Sequence, residues 1–253
     1  MEAEAAINEA IKQHLLYLAD DELILAHRDS EWTGHAPILE EDIAFANIAQ
    51  DELGHASLWY ELLEKISGDR PNDLVFFRNA DAFRNCQLFE LPNSDWARSM
   101  MRQFLFDAYE LVRASWLTQS KYDPIAHAAA KIKQEEIYHY RHTSNWVRRL
   151  GWGTKESNQR MQASLIFLWP FAYQLFVQTP EEELLVDVGY IPSLDRMKEE
   201  WEGLVIPFLE QSDLQVPKDL KPITTPRNEH TVHLHDLVTD LQEVARTNHQ
   251  AQW

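Results

Sequence analysis

The chain has 253 residues, a formal net charge of −18, only seven glycines and a single cysteine. The negative charge repels phosphate backbones and anionic membrane surfaces, which argues against nucleic acid or lipid headgroups as partners. Cys86 alone excludes an internal disulfide, a Cys-rich metal site and an iron–sulfur framework, so any metal must be held by Glu, Asp and His.

Few glycines with abundant Leu, Ala, Glu and Gln point to an all-α protein. The start "MEAEAAINEA" is acidic and lacks the parts of a signal peptide. The longest apolar stretch, "LIFLWPFAYQLFV", is too short and interrupted to span a bilayer, so a cytoplasmic chain with no membrane segment is expected.

In chain order, residues 5–27 predict a helix with Ile11, Leu15, Leu18, Glu22 and Leu25 on one face. "DSEWTGHAP" breaks it. Pro37 suits the first turn of a second helix over residues 37–66, which "SGDRPND" ends. Residues 69–92 read as loop with at most a short helix. A third helix starts near Ser94 and turns Met100, Phe104, Asp107, Glu110, Ala114 and Leu117 inward. Asp123 and Pro124 pair as cap and first-turn residue of a fourth, which ends at "LGWG". These four make a bundle.

Residues 155–177 predict a fifth helix disturbed at Pro170, and Thr179, Pro180 and Glu182 a capping box for a short sixth. Residues 229–248 carry Leu234, Leu237, Val238, Leu241, Val244 and Ala245 at amphipathic spacing, so this tail packs onto something. "SLDRMKEEWE" reads as a solvated helix face, and the aromatics of "LIFLWPFAYQLF" as core or subunit interface. No low-complexity linker or short repeat is visible, so one domain over residues 1–253 is expected.

"AQDELGHA" puts Glu52 and His55 three apart on the second helix, and "KQEEIYHY" repeats the spacing with Glu136 and His139 on the fourth. Chance placement would give about one such pair, so the count decides little. The order says more. Glu22 precedes the first pair on its own helix and Glu110 the second, which gives Glu, Glu-x-x-His, Glu, Glu-x-x-His over four helices, the ligand order of carboxylate-bridged dimetal bundles.

Residues i and i+3 share a helix face about 4.5 Å apart along the axis, so one helix can offer a carboxylate and an imidazole to one metal. Four buried carboxylates are costly alone, and two divalent cations cancel them. Oxygen and imidazole donors suit two iron ions, or manganese. Asp51 and Glu135, each one turn before a histidine, can orient an imidazole; Asp107, one turn before Glu110, can support it or replace it as ligand. The competing reading is a metal-free core network. His230, His233 and His235 in "EHTVHLHDL" resemble a further cluster, but capping the helix they open is sufficient.

The stretch "SEWTGHAPILEEDIAFANIAQDELGHA", continued by "RQFLFDAYE", "NWVRRLGWGT", "MQASLIFLW", "EHTVHLHDLVTDLQEV" and the final Trp253, resembles the C subunits of multicomponent ring-1,2-phenylacetyl-CoA epoxidases of bacterial phenylacetate degradation. The resemblance implies a ferritin-like four-helix bundle with additional C-terminal helices. It also implies pairing with a related A-type subunit that carries the catalytic diiron site, and electrons from a separate reductase. In many such C subunits the ligand positions hold residues that cannot bind iron. Here Glu22, Glu52, His55, Glu110, Glu136 and His139 stand at the matching places.

A metal-bearing oxygenase component is therefore the first expectation. A non-catalytic structural subunit is the second. A ferritin-like iron-handling or peroxide-scavenging protein, which shares the ligand set but not these motifs, comes third. A homodimer is a further expectation for the chain alone.

Overall fold

The computed structural model describes residues 2–248 and is all-α, with ten α-helices and two short 3-10 turns among the described residues. Trp253 of the family resemblance lies outside them. No described helix is long and apolar enough to cross a membrane. The chain forms two compact units, Met1–Pro92 with Pro226–Trp253, and Asn93–Thr225. Each is built on a long helical hairpin of the kind found in ferritin-like bundles.

In the first unit the hairpin is α1 (Glu2–Ser30) and α2 (Leu39–Ser67). The two run antiparallel, since the Tyr60 hydroxyl meets Asp20 while His55 faces Glu22. Ile11, Leu15, Leu18 and Leu25 of α1 and Phe45, Ile48, Trp59 and Leu63 of α2 are buried, which realises the 3.6-residue periodicity. Helix α2 begins two residues after Pro37 and stops at Gly68, whose φ of 81° is open to glycine and whose N–H bonds to the Glu64 carbonyl.

The segment read as mostly loop holds α3 (Pro71–Phe76), a 3-10 turn (Ala80–Ala82) and α4 (Gln87–Glu90). It also carries a polar clamp. The Arg78 guanidinium bonds both oxygens of buried Asp20, and the Arg84 N–H donates to the same carboxylate at 2.7 Å. The Cys86 N–H and the Arg227 guanidinium both donate to Asp21. Helix α10 follows over residues His233–Thr247, with Leu234, Leu237 and Val238 buried and Val244 at 62% exposure.

In the second unit Asp95 caps α5 (Trp96–Leu117) by accepting from the Arg98 N–H. Its partner α6 (Asp123–Gly151) has Tyr122, not Asp123, at the capping position. All six inward residues expected on α5 are buried. Gly151 is required where it stands, because a Cβ there would lie 2.1 Å from the Ser212 carbonyl oxygen. Helix α7 (Lys155–Ala172) passes through Pro170 and tightens into a 3-10 turn at Tyr173–Phe176, and the Pro170 carbonyl accepts from the Ile223 N–H. The capping box of α8 (Pro180–Val188) makes both of its reciprocal bonds.

Helix α9 (Leu194–Gln211) corrects the solvated reading of "SLDRMKEEWE". Leu194, Met197, Trp201, Val205 and Leu209 form a buried stripe, because apolar residues recur there at three- and four-residue intervals between the charges. Trp201 is wholly buried, stacks on Trp169 at 5.3 Å, and donates its indole N–H to the Leu105 carbonyl at 3.0 Å. Of the aromatic stripe on α7, Trp169 is core while Phe167 is 41% exposed.

Candidate metal centre

Side chains of α1 and α2 build the first site. Glu22 lies on the buried face of α1, and the three-residue spacing on α2 turns Glu52 and His55 to meet it. His55 Nδ1 is 3.4 Å from Glu52 Oε2 and 3.8 Å from Glu22 Oε2, and none of the three side chains is more than 1% exposed. One donor atom from each lies within 4.8 Å of the other two.

These separations exceed an N–H···O hydrogen bond of roughly 2.7–3.2 Å. Donor atoms each about 2.0–2.2 Å from one metal lie roughly 3.0–3.5 Å apart, so the 3.4 Å separation matches shared ligation and 3.8 Å is wide by a few tenths. Two carboxylates and a neutral imidazole also cancel one divalent charge. The donor set fits a hard or borderline divalent metal, and this buried Glu/His group is a possible metal site.

Helices α5 and α6 carry the second group. Glu136 and His139 are wholly buried, with His139 Nδ1 3.1 Å from Glu136 Oε1. The carboxylate beside them is Asp107, which has a donor atom within 4.8 Å of one on His139. Asp107 accepts from Thr143 Oγ1 at 2.6 Å and from Gln103 Nε2 at 2.8 Å. Burial pushes the Asp107 carboxyl well above the usual carboxylate range and the charge of Glu136 pushes it further, while His139 and the two hydrogen bonds act in the opposite sense.

Glu110 is wholly buried one turn further along α5, where it forms an ion pair with buried Arg113. Asp51 and Glu135 are half-buried.

The model of the phenylacetic acid catabolic protein family matches residues 1–253. The chain belongs to that family. The C subunit of the 1,2-phenylacetyl-CoA epoxidase of Escherichia coli (strain K12) is 33% identical to it over 242 residues, 95% of this chain and 98% of that protein. In this member of the phenylacetic acid catabolic family, all six residues singled out from the sequence are buried. Glu22, Glu52 and His55 come together, as do Glu136 and His139.

Three side chains near the sites were not singled out from the sequence. Arg113, three residues after Glu110, was legible as an i,i+3 pair. Gln103, four residues before Asp107 on the same helix, was legible in the same way, whereas Thr143 was not, because its bond runs between helices.

The third histidine cluster is no metal group among the described residues. His230 Nδ1 lies 2.7 Å from Glu90 Oε1 and Nε2 3.0 Å from the Phe83 carbonyl oxygen, and the Thr231 N–H donates to the other Glu90 oxygen. His230 therefore ties the C-terminal segment to the turn at α4 rather than capping α10.

Proposed function

We propose that the chain is the metal-bearing component of a multicomponent oxygenase of the phenylacetyl-CoA epoxidase type, in aerobic phenylacetate breakdown. The convergence of buried Glu22, Glu52 and His55, in a chain 33% identical to the C subunit of such an epoxidase, carries this reading. The metals are two iron ions, with manganese as the alternative, held by Glu22, Glu52, His55, Glu136, His139 and a further carboxylate of α5. Iron in such a donor set supplies dioxygen activation. The part of the protein is to hold anionic carboxylates in a dry interior, keep each imidazole on its metal face, and exclude water from the oxidant.

The sequence has neither a Gly-rich dinucleotide fingerprint nor a cysteine cluster, so electrons come from a separate reductase. A net charge of −18 suits the phosphates of a CoA thioester badly, and a catalytic A-type subunit supplies that contact. The whole chain acts as one ferritin-like domain in the cytoplasm, and pairs with itself when the A-type subunit is missing.

A second reading is a structural subunit whose acidic core needs no metal. The buried Glu110–Arg113 pair favours it, since one carboxylate is already neutralised by a side chain.

Metal analysis of protein from iron-supplemented cells separates the two. About two metals per chain are expected, lost when Glu52→Ala and Glu136→Ala are combined. Co-purification with an A-type subunit, then oxygen uptake with phenylacetyl-CoA and reductase, tests the complex. A metal-free chain, or oxygen uptake unchanged in the doubly substituted protein, would leave only the structural role.

A further inference from the structure

We infer that the outer face of α6 is a docking surface for an acidic electron-carrier protein. That the partner carries electrons rests on the metal-bearing reading above, whereas the surface stands without it.

Over residues 127–149 the exposed positions of α6 recur at three- and four-residue steps, so they form one strip about 33 Å long. In a chain of net charge −18 this strip is basic. Lys131, Arg141 and Arg149 are exposed and Lys133 and Arg148 half-buried, while the acids of the same span are Glu135, half-buried, and Glu136, wholly buried. Arg148 lies over the Phe208 ring and Arg149 over that of Trp146, each at 4.8 Å. A ring face holds a guanidinium without cancelling its charge.

Ile137 and Tyr138, both 49% exposed, stand in the middle of the strip, with Lys131 and Lys133 on one side and Arg141 on the other. Apolar and aromatic anchors flanked by like charges suit a protein partner, because the centre gains by losing water and the rim selects the opposite sign. A long polyanion such as nucleic acid would also meet the field of the remaining acidic surface, whereas a globular partner covers the strip alone.

The inner face of the same helix carries Glu136 and His139. The Tyr138 ring lies 6.2 Å from that of His139, edge to face, so a partner seated on Tyr138 is about one helix width from the buried pair. The sequence holds no dinucleotide fingerprint and no cysteine cluster, so a redox partner brings its own centre. An iron–sulfur cluster held by thiolates has a net negative charge, the sign that this strip selects.

The test follows binding of the full-length chain to the reductase of the same oxygenase complex by surface plasmon resonance, from about 0.05 to 0.3 M salt. Binding that weakens with salt is expected. Lys131→Glu/Arg141→Glu should weaken it by about tenfold or more, mainly through slower association, and Tyr138→Ala mainly through faster dissociation. Lys65→Glu, on exposed α2 surface away from the strip, should bind as the wild type does. Circular dichroism and metal content should match the wild type in every variant, since the substituted side chains are exposed.

A metal-loaded wild-type chain that binds no reductase, or binding that both strip variants keep, overturns the inference and leaves the metal-bearing reading intact. Strip variants that lose the A-type subunit but keep the reductase overturn the electron carrier as occupant, and a short DNA duplex that binds the strip as tightly as the reductase overturns a protein partner. A metal-free wild-type chain that still binds the reductase through the strip supports the surface and overturns the metal-bearing reading.

Discussion

The two hairpins repeat one chemical pattern, yet they neutralise it differently. On α1, three consecutive acids, Asp20, Asp21 and Glu22, are wholly buried, and the first two are met by arginines from distant segments. On α5 the acids are one turn apart, and the arginine that meets Glu110 lies three residues along the same helix. Long-range pairing makes the clamp of the first hairpin depend on tertiary structure. Local pairing makes that of the second a property of one helix. A carboxylate on the right face is thus only a candidate ligand until its cationic neighbours are known.

The largest expected effect breaks the local pair. Arg113→Met leaves Glu110 buried without its counterion and should cost about 3–5 kcal/mol in urea unfolding, whereas Glu110→Gln/Arg113→Met should recover most of that. Equal losses in the single and double variants would mean that the pair does not carry the charge balance. Next, metal should stabilise the folded chain: at a free concentration 100 times the dissociation constant, unfolding should become about 2.7 kcal/mol harder. The gain should shrink in Glu52→Gln, and chelation should reverse it.

Glycines in the second helix of each hairpin sharpen the contrast on a smaller scale. A Cβ on Gly54 of α2 meets nothing within 4 Å, so Gly54→Ala should stabilise by about 0.5–1 kcal/mol. Gly151→Ala at the end of α6 should destabilise by about 1–3 kcal/mol, since its Cβ collides with backbone at Ser212. Thermal unfolding of both variants decides the matter, and a stabilised Gly151→Ala would show that α6 can shift freely.

The smallest effect is a pH dependence confined to the first hairpin. Burial lowers the His27 pKa below 6.5, with Arg28 acting in the same direction and Glu31 and Asp240 opposing. The unfolded chain therefore takes up the proton first as pH falls. The stability from neutral His27 is present above the unfolded value and is lost as pH drops through the lowered folded value. His27→Gln should move the acid-unfolding midpoint to lower pH, and an unmoved midpoint would contradict this.

Much of the fold was legible because it is local. The helix expected over residues 5–27 extends to Glu2–Ser30, and the capping box at Thr179 and Glu182 forms as its spacing demands. Helix α9 was misread because charges such as Asp195, Lys198 and Glu199 separate the apolar positions that its turn brings into line. The clamp around Asp20 and Asp21 was illegible for another reason. Arg227 reaches Asp21 across 206 residues, and nothing in the periodicity of either segment couples them. Within the candidate sites, spacing was enough to put Glu52 beside His55 and Glu136 beside His139. It did not separate Asp107 from Glu110, since both lie on the inner face of α5 and one contact that distinguishes them, the Thr143 hydroxyl on Asp107, comes from the facing helix.

Anomalous diffraction at the iron edge, from crystals of the iron-loaded chain, tests the central claim most directly. Iron density bonded to Glu22, Glu52 and His55 together is the predicted result. Crystals that show no iron at these residues, or that show their side chains turned away from one another, would contradict it.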